Sequence, residues 1–265
     1  MKSHSSTNKC MVFDIDSTLV YSDEDIENYN RLIVETKNSN ANLKDRTYFI
    51  DLIDIGEEPG TGKTSNLWGV IRPHFFEFAL FAASYFDKIA IWSAGHYRYV
   101  HSICDVLFPD SFLQPKLILT RDDCSIDEDK SYYKPLSKIF NSNNGFSPEN
   151  TFVLDDRDDT FSKNPQNGIL IPAYTPCLNL AGVLNDDIAL QQLMCWLSLD
   201  FVAKSSDIQK IDKSNIFSTS IDTYKSMLEK EGHKSPIVSN EIEAYQERVG
   251  YDTYLDISMP SIITI

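Results

Sequence analysis

The sequence predicts an α/β fold: an open, mostly parallel sheet flanked by helices, with a small β insertion. Three observations support this. Apolar runs of strand length alternate with longer segments of helical spacing, the pattern of strand–helix–strand units. Two of the runs, "KCMVFDID" and "NTFVLDDRDD", end in acids, and a third, "KIAIWSAG", ends in small residues that include a hydroxyl. Polar groups gathered at strand C-termini mark the ligand-bearing edge of an open α/β sheet. The 265 residues, 42% of them hydrophobic, suffice for one sizeable core, or one core with an appendage.

In chain order, "KCMVFDID" reads as a buried strand that delivers two acids at its end. The region from Tyr21 to Lys44, rich in Asn, Asp and Glu, reads as loop containing a helical stretch. "RTYFIDLIDI" and "LWGVI" are β-rich runs joined by the turn "GEEPGTGKTSN". "PHFFEFALFAASYF" has Pro at a helix start and apolar residues around most of its circumference, so it predicts a well-buried helix. "KIAIWSAG" is the next strand, and "HYRYVHSICDVLF" has helical spacing. "KLILTR" is a short strand, "DDCSIDEDKS" a polar loop, "NTFVLDDRDD" a strand and "NGILIPAY" the last strand. "DIALQQLMCWLSLDF" reads as a helix that packs back on the sheet. After Lys204 the texture becomes polar and Ser-rich, which divides the chain into a domain over residues 1–204 and a helical or partly disordered appendage over 205–265. Within the appendage "IDTYKSMLEKEG" and "NEIEAYQERV" predict amphipathic helices, and "MPSIITI" is an apolar end.

Composition excludes several classes. A formal charge of −15 argues against a general nucleic-acid binder, which needs a basic surface to neutralise phosphates. Cys10, Cys104, Cys124, Cys177 and Cys195 contain no C-x-x-C pair, so neither a disulfide framework nor a zinc site is expected. "DDCSIDEDK" lacks the Gly and terminal Glu of a calcium-binding loop. With no apolar signal-peptide core and no run of membrane-span length, an intracellular, soluble protein is expected, nuclear or cytoplasmic.

Two segments suggest phosphate chemistry. "EEPGTGKTS" ends like a nucleotide-binding loop, but Glu57 stands where the first glycine of that loop is required, and its charge would repel phosphate. No helix opens at Lys63 before the break at Arg72-Pro73, so the segment reads as a turn. "VFDIDSTLV" has firmer chemistry. Asp14 and Asp16 are two apart at a strand end, where they can converge on one Mg²⁺ ion that offsets the repulsion between a carboxylate and a phosphate dianion. Asp14 would be the nucleophile and form an aspartyl-phosphate. Asp16 would protonate the leaving oxygen and later accept a proton from water, oriented by Thr18.

"FDIDSTLV" resembles the D-x-D-x-[TV]-[LV] signature of the haloacid dehalogenase superfamily. With "IRPHFFEF", "IAIWSAG", "YYKPLSKI" and "TFVLDDRDDTFSKNPQNGILIP" in order, the chain is similar over roughly residues 10–200 to the FCP/SCP-type phosphatases, which act on the C-terminal domain of RNA polymerase II. The resemblance implies a haloacid dehalogenase-like sheet with no large cap domain. It implies that Ser93 binds a phosphoryl oxygen, that Lys134 neutralises nucleophile and phosphoryl group, and that Asp155 holds this lysine. Asp156 would coordinate Mg²⁺ together with Asp14 and Asp16. "DDR" favours the FCP side of the family; Arg72 and Arg121 are the implied substrate-binding arginines, the second on an insertion that contacts a substrate phosphate in some members. The implied activity is Mg²⁺-dependent hydrolysis of phosphoserine or phosphothreonine in a flexible peptide such as the polymerase tail, with no direct nucleic-acid or membrane partner. The segment between the first motif and Arg72 carries no recognised family substrate contact, and the last 60 residues fall outside the match. A phosphatase acting on a small metabolite is the rival enzyme, but it usually needs a large cap for which the spacings leave no room. A non-catalytic scaffold, as in the mitochondrial import subunit with this domain, is the rival of another class; both motif acids are present here. Trp92, Tyr97 and Tyr99 read as core and cleft wall rather than a base-stacking platform.

Overall fold

The computed structural model describes residues 6–39, 43, 46–53, 62, 64–109, 113–128, 130–140, 143–185 and 187–237. The elements in order are β1 (Cys10–Phe13), β2 (Val20–Asp23), α1 (Ile26–Lys37), β3 (Thr47–Ile53), β4 (Thr64–Ile71), α2 (Phe75–Tyr85), β5 (Lys88–Trp92) and α3 (Tyr97–Leu107). They continue with β6 (Leu117–Leu119), β7 (Ser125–Ile126), β8 (Tyr132–Tyr133), α4 (Ser137–Phe140), β9 (Thr151–Asp155), β10 (Gly168–Leu170), α5 (Leu180–Val183), α6 (Ala189–Leu197), α7 (Asp200–Ala203) and α8 (Ile221–Lys230).

The main sheet has five parallel strands in the order β10-β9-β1-β5-β6. Central β1 is buried along its whole length because both faces of the sheet are covered, which is why its sequence is continuously apolar. Met11 and Phe13 face the larger core, shared with α2, α3 and α6, while Cys10 and Val12 face a smaller one with Leu136, Ile139 and Phe146. In α2, Phe75, Phe76, Phe78, Ala79, Ala82 and Tyr85 are all buried, in keeping with apolar residues around its circumference. Every strand of this sheet runs toward the same edge. The ends of β1, β5 and β9 therefore bring Asp14, Ser93 and Asp155 to one place.

The expected hairpin is part of a three-stranded antiparallel sheet, β2-β4-β3, with α1 packed beside it. Strand β2 occupies the start of the region expected to be loop; its four residues, "VYSD", are too few to show alternation. Its pairing with β4 at Val20↔Ile71 and Asp23↔Trp68 makes it a strand. Ile53 pairs with Thr64, which closes the predicted turn; Lys63 and most of that turn lie outside the described residues. The polar loop "DDCSIDEDKS" opens in a 3-10 turn that starts one residue earlier, Arg121–Asp123, and contains strand β7, which pairs with β8 as a small hairpin.

The chain beyond Lys204 packs on the same core. Ile208, Ile216, Tyr224 and Leu228 are buried there. Buried Lys9 donates to the carbonyls of Ala203 at 2.8 Å and Ser205 at 3.0 Å. Gln192 on α6 donates to Phe217 and Thr219 carbonyls at 3.1 and 2.9 Å. The segments "NEIEAYQERV" and "MPSIITI" lie outside the described residues. Among the described residues no helix is long and apolar enough to cross a membrane.

Candidate active site

Asp14 follows β1, and its amide donates to the Leu154 carbonyl at 2.9 Å, so the ladder to β9 extends to the first motif acid. The chain then turns sharply. Ser17 takes a left-handed conformation (φ 56°), and Leu19 and Val20 amides both return to the Ile15 carbonyl at 2.8 and 3.1 Å. Asp14 and Asp16 have different partners.

Asp14 Oδ1 accepts from Lys134 Nζ at 2.6 Å, and the same ammonium donates to Asp155 Oδ2 at 2.5 Å. Asp14, Lys134 and Asp155 are all buried. Asp155 Oδ1 accepts the Arg157 amide at 3.0 Å, and the Lys134 amide is held by the Thr160 carbonyl at 2.6 Å. Ligand oxygens of Asp14, Asp155 and Asp156 lie within 4.8 Å of one another.

The electrostatics are unbalanced. Burial pushes the Asp14 carboxyl up to about 8; Lys134 opposes this, while Asp155 and Asp16 add to it. Burial, then Asp155, raise Asp156 as well. Burial alone would lower Lys134, but Asp14 and Asp155 more than offset it, so the lysine is held firmly charged. One ammonium facing three carboxylates leaves excess negative charge in a low-dielectric place. A hard cation bound by carboxylate oxygens fits that donor set.

Asp16 was expected to converge with Asp14 on the ion, but its carboxylate is turned elsewhere. Oδ1 accepts from the Tyr99 hydroxyl and Oδ2 from Ser93 Oγ at 3.4 Å. Asp155 takes its place in the acidic trio. Thr18, expected to orient Asp16, instead joins the first motif to Asp156: it accepts the Asp156 amide at 3.1 Å and donates to Oδ1 at 3.4 Å. The partners are the reason: Lys134 draws the Asp14 carboxylate toward Asp155, whereas Tyr99 and Ser93 hold that of Asp16 on the side of β5 and α3.

Ser93 lies at the end of β5, with its amide on the Leu119 carbonyl at 3.1 Å and its hydroxyl accepting from the Gly95 amide at 3.0 Å. Arg121 is exposed at the rim. Its Nε holds the Ala94 carbonyl at 2.8 Å, and its guanidinium lies 5.8 Å from the centroid of the Tyr132 ring. Arg72 does not reach the open edge. It is fully buried and donates to the Thr18 carbonyl (3.0 Å), the Pro172 carbonyl (2.8 Å) and both oxygens of Asp187 (3.0 and 2.9 Å). Its place is beneath the motif turn, which it braces.

Tyr99, Ser22, Tyr48 and Asp187 also reach the site or its supports, and no sequence motif marks them in that role. Tyr99 was visible only as one of several aromatics, because its partner Asp16 is 83 positions away. A second group of potential ligands, Asp200, Glu231 and His233, lies on the surface; there Lys204 (2.6 Å) and His233 (2.8 Å) already pair with Asp200.

A family model described as NLI interacting factor-like phosphatase matches residues 9–209. No curated protein gave a significant match. Among solved structures, the chain is similar to fission yeast RNA polymerase II CTD phosphatase Fcp1-R271A bound to beryllium fluoride (18% identity, TM-score 0.51, 91% of this chain and 61% of that one). It is also similar to a structure described as Fcp1, an essential RNA polymerase II CTD phosphatase (17% identity, TM-score 0.53, 86% of this chain and 65% of that one). The chain thus spans less than two thirds of either structure, and at these identities the likeness establishes the fold.

Proposed function

Because the chain belongs to the NLI interacting factor-like phosphatase family, we propose that it hydrolyses phosphate monoesters of serine or threonine in a flexible peptide, with Asp14 as nucleophile. The observation that carries this reading is the buried Lys134 bridging Asp14 and Asp155 beside Asp156, at the C-terminal edge of the sheet. Asp14, Asp155 and Asp156 would hold the cation, and Mg²⁺ suits an all-oxygen donor set. Bound there, it offsets the repulsion between the carboxylates and the phosphate dianion.

In the first step an oxygen of Asp14 forms a bond to phosphorus as the bond from phosphorus to the seryl or threonyl oxygen breaks. The electron pair of the broken bond stays on the leaving oxygen, which takes a proton from the Asp16 carboxyl group. Lys134 stays protonated and orients the attacking carboxylate. Ser93, whose hydroxyl lies beside Asp16, would donate to a phosphoryl oxygen. In the second step water attacks phosphorus, the bond from Asp14 to phosphorus breaks, and the Asp16 carboxylate takes a proton from that water. The sum is monoester plus water to alcohol plus phosphate.

The small size of the described insertions supports a peptide as the substrate. The described insertions are the β2-β4-β3 sheet with α1 and the β7-β8 hairpin, small additions that leave room for a polypeptide. The heptad tail of RNA polymerase II is the peptide we infer, since both structural neighbours are described as CTD phosphatases. Arg121 at the rim is the proposed contact for a substrate phosphate, whereas Arg72 acts by bracing the motif turn. The test is phosphate release from singly phosphorylated heptad peptides with and without Mg²⁺. Release that depends on Mg²⁺ and is lost in Asp14→Asn is expected; release undiminished in folded Asp14→Asn would overturn the mechanism.

A further inference from the structure

Three hydroxyl groups extend from Asp16 into the β insertion. Tyr99, on the first turn of α3, donates to Asp16 Oδ1. Its oxygen lies 2.8 Å from Ser22 Oγ on β2, and Ser22 Oγ lies 2.7 Å from the Tyr48 hydroxyl on β3. With Tyr99 donating to the carboxylate, its oxygen is free to accept from Ser22, and Ser22 to accept from Tyr48. In this arrangement the protons of the row point toward Asp16, with the Tyr21 carbonyl, 3.4 Å from the Tyr48 hydroxyl, as a competing acceptor.

Two glycines leave room for this row. A side chain on Gly69 of β4 would meet Tyr48 Cζ and its hydroxyl oxygen at 2.3 Å, so the Tyr48 ring lies across β4 on its way to Ser22. A side chain on Gly95 would meet Tyr99 Cδ1 at 2.6 Å and Ser93 Oγ at 3.2 Å, so the Tyr99 ring lies against the Ser93 loop. The row joins α3, β2 and β3, from the parallel sheet's helices to the antiparallel insertion. Its only carboxylate is that of Asp16.

Resting on the phosphatase reading above, we propose that Tyr99, Ser22 and Tyr48 are positioning residues that hold the Asp16 carboxyl group in line with the leaving oxygen and tie its orientation to the β2-β4-β3 sheet. The chemistry requires such a device. Asp16 must meet the leaving oxygen in the first step and water in the second, and it lies past Asp14, whose amide is the one held by the ladder to β9. A carboxyl group fixed on one oxygen by Tyr99 keeps its orientation through both steps.

The test separates proton donation from structure through the leaving group. A well-stabilised leaving group such as p-nitrophenolate departs with little help from an acid, whereas a seryl oxygen needs the proton. For Tyr99→Phe we expect kcat/KM on a phosphoserine peptide to fall about tenfold or more, within the range of acid–base contributions, and that on p-nitrophenyl phosphate to fall much less. Across a series of aryl phosphates, kcat/KM should depend more steeply on leaving-group basicity in the variant than in wild type. Ser22→Ala, which breaks the row without touching Asp16, should shift the slope the same way by less. In an Asp16→Asn background, Tyr99→Phe should leave the slope unchanged. An equal loss on all leaving groups in folded Tyr99→Phe, or no loss, would overturn the positioning role while leaving the phosphatase reading intact. Wild-type protein inactive on every phosphate ester with Mg²⁺ present would instead remove the phosphatase reading, and this inference with it.

Discussion

Lys134 donates to Asp14 at 2.6 Å although the two lie 120 positions apart, and both side chains are buried. A buried ion pair of this kind is costly to break from one side, because the remaining charge has neither water nor a partner.

Lys134→Met should therefore lower thermal stability by the equivalent of about 3–5 kcal/mol, the usual cost of removing one partner of a buried pair. Hydrolysis of an aryl phosphate should fall to background at the same time. Asp14→Asn should also abolish turnover but cost less stability, since the amide oxygen can still accept from Lys134. Thermal melts beside p-nitrophenyl phosphate assays check both. A fully active Lys134→Met would place the lysine outside the chemistry.

Chelation and pH should act together. In metal-free protein Asp14, Asp16 and Asp156 all have carboxyl groups raised above their ordinary values, burial being the first cause in each. Between the ordinary carboxylate range and about 8, the folded state binds more protons than the unfolded state. Stability contributed by these groups is thus present at low pH and falls as pH rises through that window. Asp14→Asn should flatten the fall. Mg²⁺ favours the ionised carboxylates, so its stabilisation should grow with pH over the same interval and EDTA should reverse it. Melting temperatures across pH, with and without Mg²⁺, measure this. A Mg²⁺ effect independent of pH would count against binding at these acids.

Arg72→Lys should behave as a folding lesion. Lysine cannot reproduce the four bonds from the guanidinium to Thr18, Pro172 and Asp187. A drop in melting temperature with reduced kcat and little change in peptide KM is expected, because the motif turn loses its brace. A raised KM at unchanged stability would instead put Arg72 on the substrate.

Chain truncation distinguishes two parts of the C-terminal segment. Ending the protein after Lys204 removes Ile208, Ile216, Tyr224 and Leu228 from the core. Each large-to-small loss in a core costs about 2–5 kcal/mol, so this truncation should lose cooperative unfolding and all activity. Ending it after Ile237 keeps these residues, and turnover of a small aryl phosphate should persist. Calorimetry with an aryl phosphate assay decides, and a stable, active protein ending at Lys204 would show the segment to be dispensable.

Much of the fold was legible because its signals are local. The period of β3, the continuous apolar run of β1, and Pro73 ahead of α2 each report a neighbourhood of a few residues. Strand β2 and the β7-β8 hairpin were not, since they are too short for a period to show and depend on distant partners. At the site, the two acids of the first motif were readable from their spacing. Lys134, Ser93 and Asp156 came into view only through family motifs.

The sequence by itself determined the α/β class, the alternation of its strands and helices, and the presence of acids at the strand ends. Only the tertiary structure decided what those acids face. Asp155 rather than Asp16 completes the trio with Asp14 and Asp156, Thr18 reaches Asp156, Tyr99 holds Asp16, and Arg72 is buried on Asp187. The physical reason is that element type follows from backbone periodicity over a few residues. A buried polar side chain, by contrast, takes whatever partner the convergence of separate strands and turns brings within about 3 Å, the length of a hydrogen bond.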